Sequence, residues 1–124
     1  MKRYLLDTHI FLWWLADDKK LDQRHRKLLM DPANFITIRT VSIWEIVIKQ
    51  ALGKLIAPDN LKEVLHETEF EVLAITPDHV MYLKQLPAIH HDPFDRLLIA
   101  QAIYEGLTLI TADTIIPKYE LTCD

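Results

Sequence analysis

The stretch DPFDRLLIAQAIYEGLTLIT, residues 92–111, contains a complete helix-to-strand unit. Asp92 can cap the first turn of a helix, and Pro93 suits the first helical position because its missing N–H would be unbonded there anyway. Gly106 is a natural stop for the same helix. The apolar run at 107–111 that follows is typical of a short buried strand. This segment therefore predicts one helix followed directly by one strand.

The rest of the chain repeats this alternation of helical segments and short apolar runs. Further helices are predicted at residues 9–16 with Thr8 as the cap, 22–30, 42–52 with Gly53 as the stop, 59–69, and 77 to about 87. Further strands are predicted at residues 4–6, 35–38 and 71–75, with 120–123 as a candidate edge strand. Strands separated by helices pair in parallel through right-handed crossovers. The predicted fold is an α/β sheet covered by helices on both faces.

The composition fits one globular domain over residues 1–124 and excludes several classes of protein. Apolar residues make up 50% of the chain, charged residues 26%, and the formal net charge is -4. Two glycines are too few for a Walker loop or a dinucleotide fingerprint, and a single cysteine, Cys123, excludes an intrachain disulfide and a cysteine zinc cluster. The cysteine usage leads us to expect a protein of the reducing cytoplasm. No apolar stretch approaches the ~20 residues of a membrane span. Because the net charge is negative, RNA binding requires a local basic patch or a bound cation.

Four acidic residues fall at the same predicted edge of the sheet. Asp7 and Asp113 come directly after strands. Glu45 lies one turn into the helix after the second strand, and Asp95 lies in the first turn of the last long helix. Unpaired charges ~4 Å apart repel by several kcal/mol at an effective dielectric near 20, and a hard divalent cation relieves this repulsion. Carboxylate oxygens suit Mg²⁺ or Mn²⁺, which neutralise phosphate and activate water for phosphodiester hydrolysis.

Each acid also has a purely structural interpretation. Ser42 stands three residues before Glu45, which is the spacing of a helix capping box. Asp92 is a natural helix cap, and a carboxylate at Asp95 interacts favourably with the positive end of the helix dipole. Asp113 fits an ordinary turn. The metal site is therefore predicted from the convergence of the four acids at one edge and not from any one of them.

Basic residues supply the candidate contacts to a phosphate backbone. These are Arg24, Lys49 and Lys54, although a solvated surface position is the ordinary role of all three side chains. The adjacent pair His90 and His91 is a tempting set of ligands. Because adjacent side chains seldom point the same way, we interpret this segment as a loop that merely contains histidines.

Four short motifs occur in order along the chain: LLDTH at 5–9, SIWEI at 42–46, HDPFDRLLIAQA at 91–102 and TAD at 111–113. Together they resemble PIN-domain proteins, of the kind that serve as VapC toxins in bacterial type II toxin–antitoxin pairs. The resemblance extends over essentially the whole chain. The long third motif is the most specific of the four.

The resemblance implies a PIN-like three-layer sandwich, with a mostly parallel sheet of four to five strands, and the activity of a metal-dependent endoribonuclease. It implies that Asp7, Asp95 and Asp113 hold one or two Mg²⁺ or Mn²⁺ ions, the first two as the principal ligands. It further implies that Glu45 completes the pocket or orients the attacking water, and that RNA cleavage leaves a 5′-phosphate and a 3′-hydroxyl. It also implies that Asp92 and Ser42 support the ligands or cap helices. Arg96 is expected to hold a phosphate, to fix a carboxylate or to form a structural salt bridge.

The segment after Asp113 departs from the family pattern, because it reads TIIP at 114–117 where many relatives carry an aromatic-containing turn. The resemblance also implies a homodimer, an RNA substrate such as tRNA or a ribosomal RNA loop, and a small antitoxin that binds near the first helices, where residues 10–15 are apolar. The alternative is a catalytically inactive PIN-like module that acts through a protein partner. A haloacid-type phosphatase fits less well, since it requires Asp-x-Asp where this chain has DTH at 7–9.

Overall fold

The computed structural model describes residues 2–119 and 123–124, which contain a parallel β-sheet. The four strands of the described residues are β1 (Arg3–Leu6), β2 (Phe35–Arg39), β3 (Glu71–Leu73) and β4 (Thr108–Ile110). They lie in the order β3-β2-β1-β4, and every neighbouring pair is parallel, which confirms the predicted sheet. The candidate edge strand at 120–123 falls mostly outside the described residues; Cys123 forms an isolated parallel bridge with Leu109.

Six α-helices accompany these strands within the described part of the chain. They are α1 (Thr8–Ala16), α2 (Gln23–Met30), α3 (Thr40–Ala51), α4 (Leu61–Thr68), α5 (Pro77–Tyr82) and α6 (Pro93–Glu105). Short 3₁₀ turns lie at Leu83–Gln85 and Ile116–Lys118. None of the described helices has both the length and the apolar character needed to traverse a lipid bilayer.

The two ends of α6 follow the signals in its sequence. Asp92 caps the helix as predicted, because its Oδ1 accepts the backbone N–H groups of Phe94 and Asp95 at 2.8 and 3.3 Å. Gly106 ends the helix in the left-handed conformation, with a φ of 67°. Only glycine adopts this conformation without a steric penalty from Cβ. Local chemistry therefore fixes both ends of the helix that carries Asp95.

Two helices begin earlier than predicted. α1 begins at Thr8, with Asp7 in the cap position, and α3 begins at Thr40, with Arg39 in the cap position. Ser42 therefore lies inside α3, and the predicted capping box is wrong. The hydroxyls of Thr8 and Ser42 instead approach each other across the two helices, with their oxygens 2.9 Å apart. A tertiary contact has taken the place of the local caps.

Successive side chains of β1 point to opposite faces of the sheet, and helices pack against both faces. Tyr4 and Leu6 pack into one buried cluster with residues of α1 to α4. Leu5 points the other way and packs against α6. Burial of each such leucine stabilises the fold by about 1.5–3 kcal/mol. The three-layer arrangement predicted for the chain is therefore confirmed.

The order of the strands places a crevice next to β1. The chain leaves β1 towards β2 on one side and later returns to β4 on the other side. The connections after β1 and β4 therefore diverge, and their carboxyl ends face a gap between them. Ligands of parallel α/β sheets bind at such a switch point.

Candidate metal-binding site

A cavity of about 240 Å³ lies at this switch point. All four predicted acids line it, although they come from four separate segments of the chain. Its charged lining residues are Asp7, Glu45, Lys49, Asp92, Asp95 and Asp113. A larger groove of about 910 Å³ lies along α4 and β3, and none of the predicted site residues lines it. The predicted acids are therefore gathered in the smaller cavity.

Asp7 anchors the cavity to the sheet. Its backbone N–H donates to the carbonyl oxygen of Ile110 at 3.0 Å, which continues the parallel pairing of β1 and β4. Its Oδ2 accepts a hydrogen bond from the hydroxyl of Thr111 at 2.7 Å. Burial raises the pKa of Asp7 above its ordinary value, although the hydrogen bond from Thr111 opposes this effect. The carboxylate is thus held rigidly in a place where its charge is costly.

Asp95 and Asp113 approach each other through a shared histidine. The Nε2 of His90 lies 3.0 Å from the Oδ2 of Asp95 and 3.4 Å from the Oδ2 of Asp113. The segment is a loop as predicted, but it does not merely contain histidines: the N–H of Asp92 donates to the Nδ1 of His90 at 3.2 Å, and the other ring nitrogen faces Asp95 and Asp113. Among the described residues, the potential ligand atoms of these two acids and His90 all lie within 4.8 Å of one another.

The protonation of Asp95 reflects the crowding of negative charge. Desolvation is the largest cause that raises its pKa to about 7, followed by the charges of Asp7 and Asp92. His90 acts in the opposite direction but does not compensate for them. Such a shift marks a site where acids converge without enough positive charge, which is typical of functional sites.

Asp113 is held differently, by backbone amides of the loop after β4. Burial acts to raise its pKa, but hydrogen bonds from the N–H groups of Ile115 and Ile116 and from His90 outweigh burial and lower the pKa. The two amides donate to Oδ1 at 2.6 and 3.1 Å. The TIIP segment thus supplies the support for Asp113, and Oδ2 remains directed at His90.

Glu45 closes another side of the cavity from α3. Its Oε1 accepts a hydrogen bond from the Thr8 hydroxyl at 2.7 Å, and its Oε2 lies 2.7 Å from the Nζ of Lys49, one helical turn later. The hydrogen bond that the Lys49 ammonium donates to Glu45 is the main cause that raises the pKa of Lys49. Glu45 and Lys49 therefore form a charged pair at the cavity wall.

Other predicted residues lie away from the cavity. Arg24 is exposed and pairs with Asp124 at 2.9 Å, and Lys54 is exposed at the end of α3. Within the described residues Arg96 pairs with no carboxylate, and its guanidinium donates to the carbonyl oxygens of Leu83 and Pro87. The position of a basic residue in the sequence does not determine where its side chain points.

A buried arginine beside the cavity was also missed. Arg39 at the end of β2 is completely buried, and its Nε donates to the Oγ of Ser42 at 3.0 Å. Its Nη1 donates to the carbonyl oxygen of Phe94, the residue before Asp95, at 3.1 Å. An arginine that ends an otherwise apolar strand was the available signal in the sequence.

The donor set of the cavity fits a divalent cation. Five carboxylates line the cavity, the imidazole of His90 contacts two of them, Asp95 and Asp113, and the charged form of Asp95 is disfavoured there. Carboxylate oxygens are ligands preferred by Mg²⁺ and Mn²⁺, and an imidazole is accepted by several transition metals. The residues present could therefore hold such an ion and would be relieved of their mutual repulsion by it.

Comparisons with known proteins agree with this architecture. The PIN domain family matches residues 4–120. Ribonuclease VapC22 of Mycobacterium tuberculosis is 28% identical over 121 residues, which cover 91% of this chain and 88% of that protein.

Two solved structures share the fold. VapBC2 from Rickettsia felis, bound to a DNA fragment from its promoter, superposes with a TM-score of 0.74 at 18% identity and covers 98% of this chain and 97% of that one. DNA-bound VapBC from Salmonella typhimurium gives a TM-score of 0.71 at 16% identity and covers 100% of this chain and 98% of that one. At these identities the structural likeness establishes the fold.

Proposed function

The chain belongs to the PIN-domain family, and from that premise we propose that it is a metal-dependent endoribonuclease, the toxin of a type II toxin–antitoxin pair. The observation that supports this proposal best is the convergence of Asp7, Glu45, Asp95 and Asp113 on one cavity. The name of a relative, Ribonuclease VapC22, gives ribonuclease activity for that protein and supports the proposal. We further propose that the domain extends over residues 1–124.

Asp7 and Asp95 are the proposed principal ligands of Mg²⁺ or Mn²⁺, and Asp113 is a further ligand. His90 joins this set because its Nε2 lies 3.0 Å from the Oδ2 of Asp95 and 3.4 Å from the Oδ2 of Asp113. When bound, the ion lowers the pKa of a water molecule and neutralises charge on the scissile phosphate. The rigid hydrogen bonds of Asp7 and Asp113 hold their free oxygens in place before the ion arrives, which reduces the ordering that binding requires.

Glu45 and Lys49 are the proposed partners of the reacting groups. The Glu45 carboxylate, fixed by Thr8, is placed to accept a hydrogen bond from the attacking water and so to orient it. Lys49 carries a positive charge at the cavity wall, where an incoming phosphate can exchange for part of its contact with Glu45. Asp92 supports Asp95 by capping α6, and Ser42 supports Thr8.

The negative net charge limits how RNA can be held. With a formal charge of -4, the chain does not attract a polyanion by its overall field. We therefore propose that affinity comes from the metal ion and Lys49, and that Arg24 and Lys54 contact more distant phosphates of a structured RNA such as tRNA or a ribosomal RNA loop.

An antitoxin partner, a homodimer and a cytoplasmic location complete the proposal. Of the apolar stretch at 10–15, Ile10 and Phe11 are core residues, whereas the other four are partly exposed. Trp44 and Val47 on α3 are 58% and 54% exposed, so α3 also offers an apolar surface. The two solved VapBC complexes contain a toxin with the same fold, and their names support a small antitoxin as the partner here.

RNA cleavage by the purified chain, free of antitoxin, tests the proposal. We expect cleavage with Mg²⁺ or Mn²⁺, none with EDTA, and loss of cleavage in Asp7→Asn. The matched control is Asp78→Asn on α5, a carboxylate outside the cavity that bonds to Tyr104. Cleavage that survives both EDTA and Asp7→Asn would refute the mechanism, and a folded wild type that binds metal without cleaving any RNA would favour the inactive binding module.

A further inference from the structure

Arg39 is an unusual residue to find at the base of an acidic cavity. Its side chain is completely buried, yet it forms no ion pair with any residue that the structure describes. Its Nε and Nη1 donate hydrogen bonds to uncharged oxygens, the hydroxyl of Ser42 and the carbonyl of Phe94. Its Nη2 has no hydrogen-bond partner within residues 2–119 and 123–124. A buried charge in such a position is costly unless something else compensates for it.

The compensation comes from the cavity as a whole. Desolvation lowers the pKa of Arg39 to about 10, and the negative charges of Glu45, Asp7, Asp95 and Asp92 oppose this effect. These four acids all line the cavity, whereas Arg39 is not one of its lining residues. With a pKa of about 10 the guanidinium is charged at neutral pH, and the negative charge of the acidic cluster favours its charged form.

The same interaction acts on the acids in return. Five carboxylates line the cavity, and Lys49, which also lines it, carries a permanent positive charge. Arg39 adds a second permanent cation that no solvent screens, because it is buried. A positive charge fixed beneath the ligands repels a divalent ion at the same site, but it also allows the cluster to fold before any ion binds.

We propose that Arg39 is a resident cation of the cavity, which offsets part of the acidic charge from behind the wall and thereby weakens the binding of the divalent ion. This inference rests on the proposed metal-dependent function and deepens it. Arg39 is a positioning residue, since its hydrogen bonds reach Ser42 on α3 and the carbonyl oxygen of Phe94 at the start of α6, neither of which is a proposed metal ligand. Its charge makes the metal site exchangeable, so that occupancy follows the metal concentration of the surroundings.

Three variants separate the charge of Arg39 from its hydrogen bonds. Arg39→Lys keeps the charge but loses the forked contacts, Arg39→Gln keeps a donor but loses the charge, and Arg39→Met loses both. Titration calorimetry of each full-length protein with Mn²⁺, without RNA, measures the dissociation constant. The matched control is Arg26→Gln, which removes an arginine on α2 that pairs with Asp17 outside the cavity.

We expect the two neutral variants to bind Mn²⁺ at least tenfold more tightly than the wild type, and Arg39→Lys and Arg26→Gln to remain within threefold of it. Folded neutral variants with an unchanged Mn²⁺ affinity would overturn the inference and leave the proposed function intact. A wild type that binds no Mn²⁺ at millimolar concentration would instead overturn the proposed function, and this inference with it.

Thermal melts with and without Mn²⁺ cover the case in which a neutral variant does not fold. If Arg39→Gln is unfolded without metal and folds when Mn²⁺ is added, the ion has replaced the missing charge, as the inference requires. If it stays unfolded at saturating Mn²⁺ while Arg39→Lys folds in the same way as the wild type, the role of Arg39 is not exchangeable with that of the ion, and the inference is wrong.

Discussion

Two histidines of this protein contact carboxylates, and the difference between them separates structure from chemistry. His79 on α5 is completely buried; its Nδ1 accepts the backbone N–H of Thr76 at 3.1 Å, and its Nε2 lies 2.7 Å from the Oε2 of Glu105. His90 has the same local arrangement. Its Nδ1 accepts a backbone N–H, and its Nε2 faces a carboxylate at 3.0 Å.

The carboxylates around each ring differ in number. His79 faces one acid, Glu105, and the pair ties α5 to α6 in a place where each ring nitrogen has a partner. His90 faces Asp95 and Asp113, with Asp7 and Asp92 close enough to raise the pKa of Asp95. A histidine–carboxylate contact is therefore not a sign of function by itself. The excess of negative charge around the second contact distinguishes it.

The largest expected effect is on RNA cleavage, and it comes from removing a carboxylate charge beside His90 and comparing this with the same change beside His79. Asp95→Asn keeps the shape of the side chain but removes a proposed ligand charge, so RNA cleavage should fall at least about 100-fold, the upper end of what is lost when a residue supporting a metal site is removed. Because the lost carboxylate was repelled by its neighbours, the melting temperature of the metal-free protein should not fall.

Glu105→Gln is the matched variant for the other histidine. It removes a charge from the contact with His79 and leaves the cavity intact, so we expect lower thermal stability and unchanged cleavage per folded molecule. Fluorescence melts and a cleavage assay measure both quantities. Cleavage by Asp95→Asn within threefold of the wild type would show that the two regions do not differ in the proposed way.

The second effect concerns stability alone. His79→Ala removes the imidazole that accepts the N–H of Thr76 and contacts the carboxylate of Glu105. Because both groups lose this partner, the free energy of unfolding should fall by about 2–3 kcal/mol. Urea denaturation measures this loss. The control His66→Ala removes an exposed histidine from α4 and should change the free energy of unfolding by less than about 0.5 kcal/mol. Equal effects of both changes would contradict the structural role of His79.

Several features of the site could be predicted from the sequence because local signals determine them. Apolar strands end at Asp7 and before Asp113, and Asp92 with Pro93 fixes the start of α6 and hence the place of Asp95. A parallel sheet then brings these positions to one edge. The predicted convergence needed only the order of the elements.

Features that depend on contacts between distant segments could not be predicted. Ser42 has the spacing of a capping residue, but its hydroxyl contacts Thr8 and Arg39, which no local pattern indicates. The contact of His90 with Asp113 joins the loop before α6 to the loop after β4. The burial of Arg39 depends on α3 and α6 closing over the end of β2. Each requires the assembled fold.

A smaller effect is expected from the lysines of α3 and the turn after it. Lys49 lines the cavity and Lys54 does not, although both were predicted to contact RNA. Lys49→Ala should lower the cleavage rate about tenfold, the loss expected for about 1.4 kcal/mol of one phosphate contact. Lys54→Ala should change it less than about twofold. A larger loss for Lys54 would place the RNA path along the exposed end of α3.

The smallest effect is a dependence of stability on pH. Because the pKa of Asp95 rises from 3.8 to about 7 on folding, the folded metal-free protein holds an extra proton between these values. Its contribution to stability is complete below about pH 4 and is lost as the pH rises through about 7. The melting temperature of the wild type minus that of Asp95→Asn should therefore decline by a few degrees as the pH rises from about 4 to about 7. A difference that is flat, or that rises with pH, would contradict the crowding of acids around Asp95.

The most direct measurement of the central claim is anomalous diffraction from crystals of the protein soaked in Mn²⁺. We expect a manganese peak in the cavity at the ends of β1 and β4, within bonding distance of Asp95 and Asp113, and its disappearance in Asp95→Asn crystals. Well-ordered cavity side chains without a peak at saturating Mn²⁺, or a peak that persists in Asp95→Asn, would contradict the claim that these acids converge to hold a metal ion.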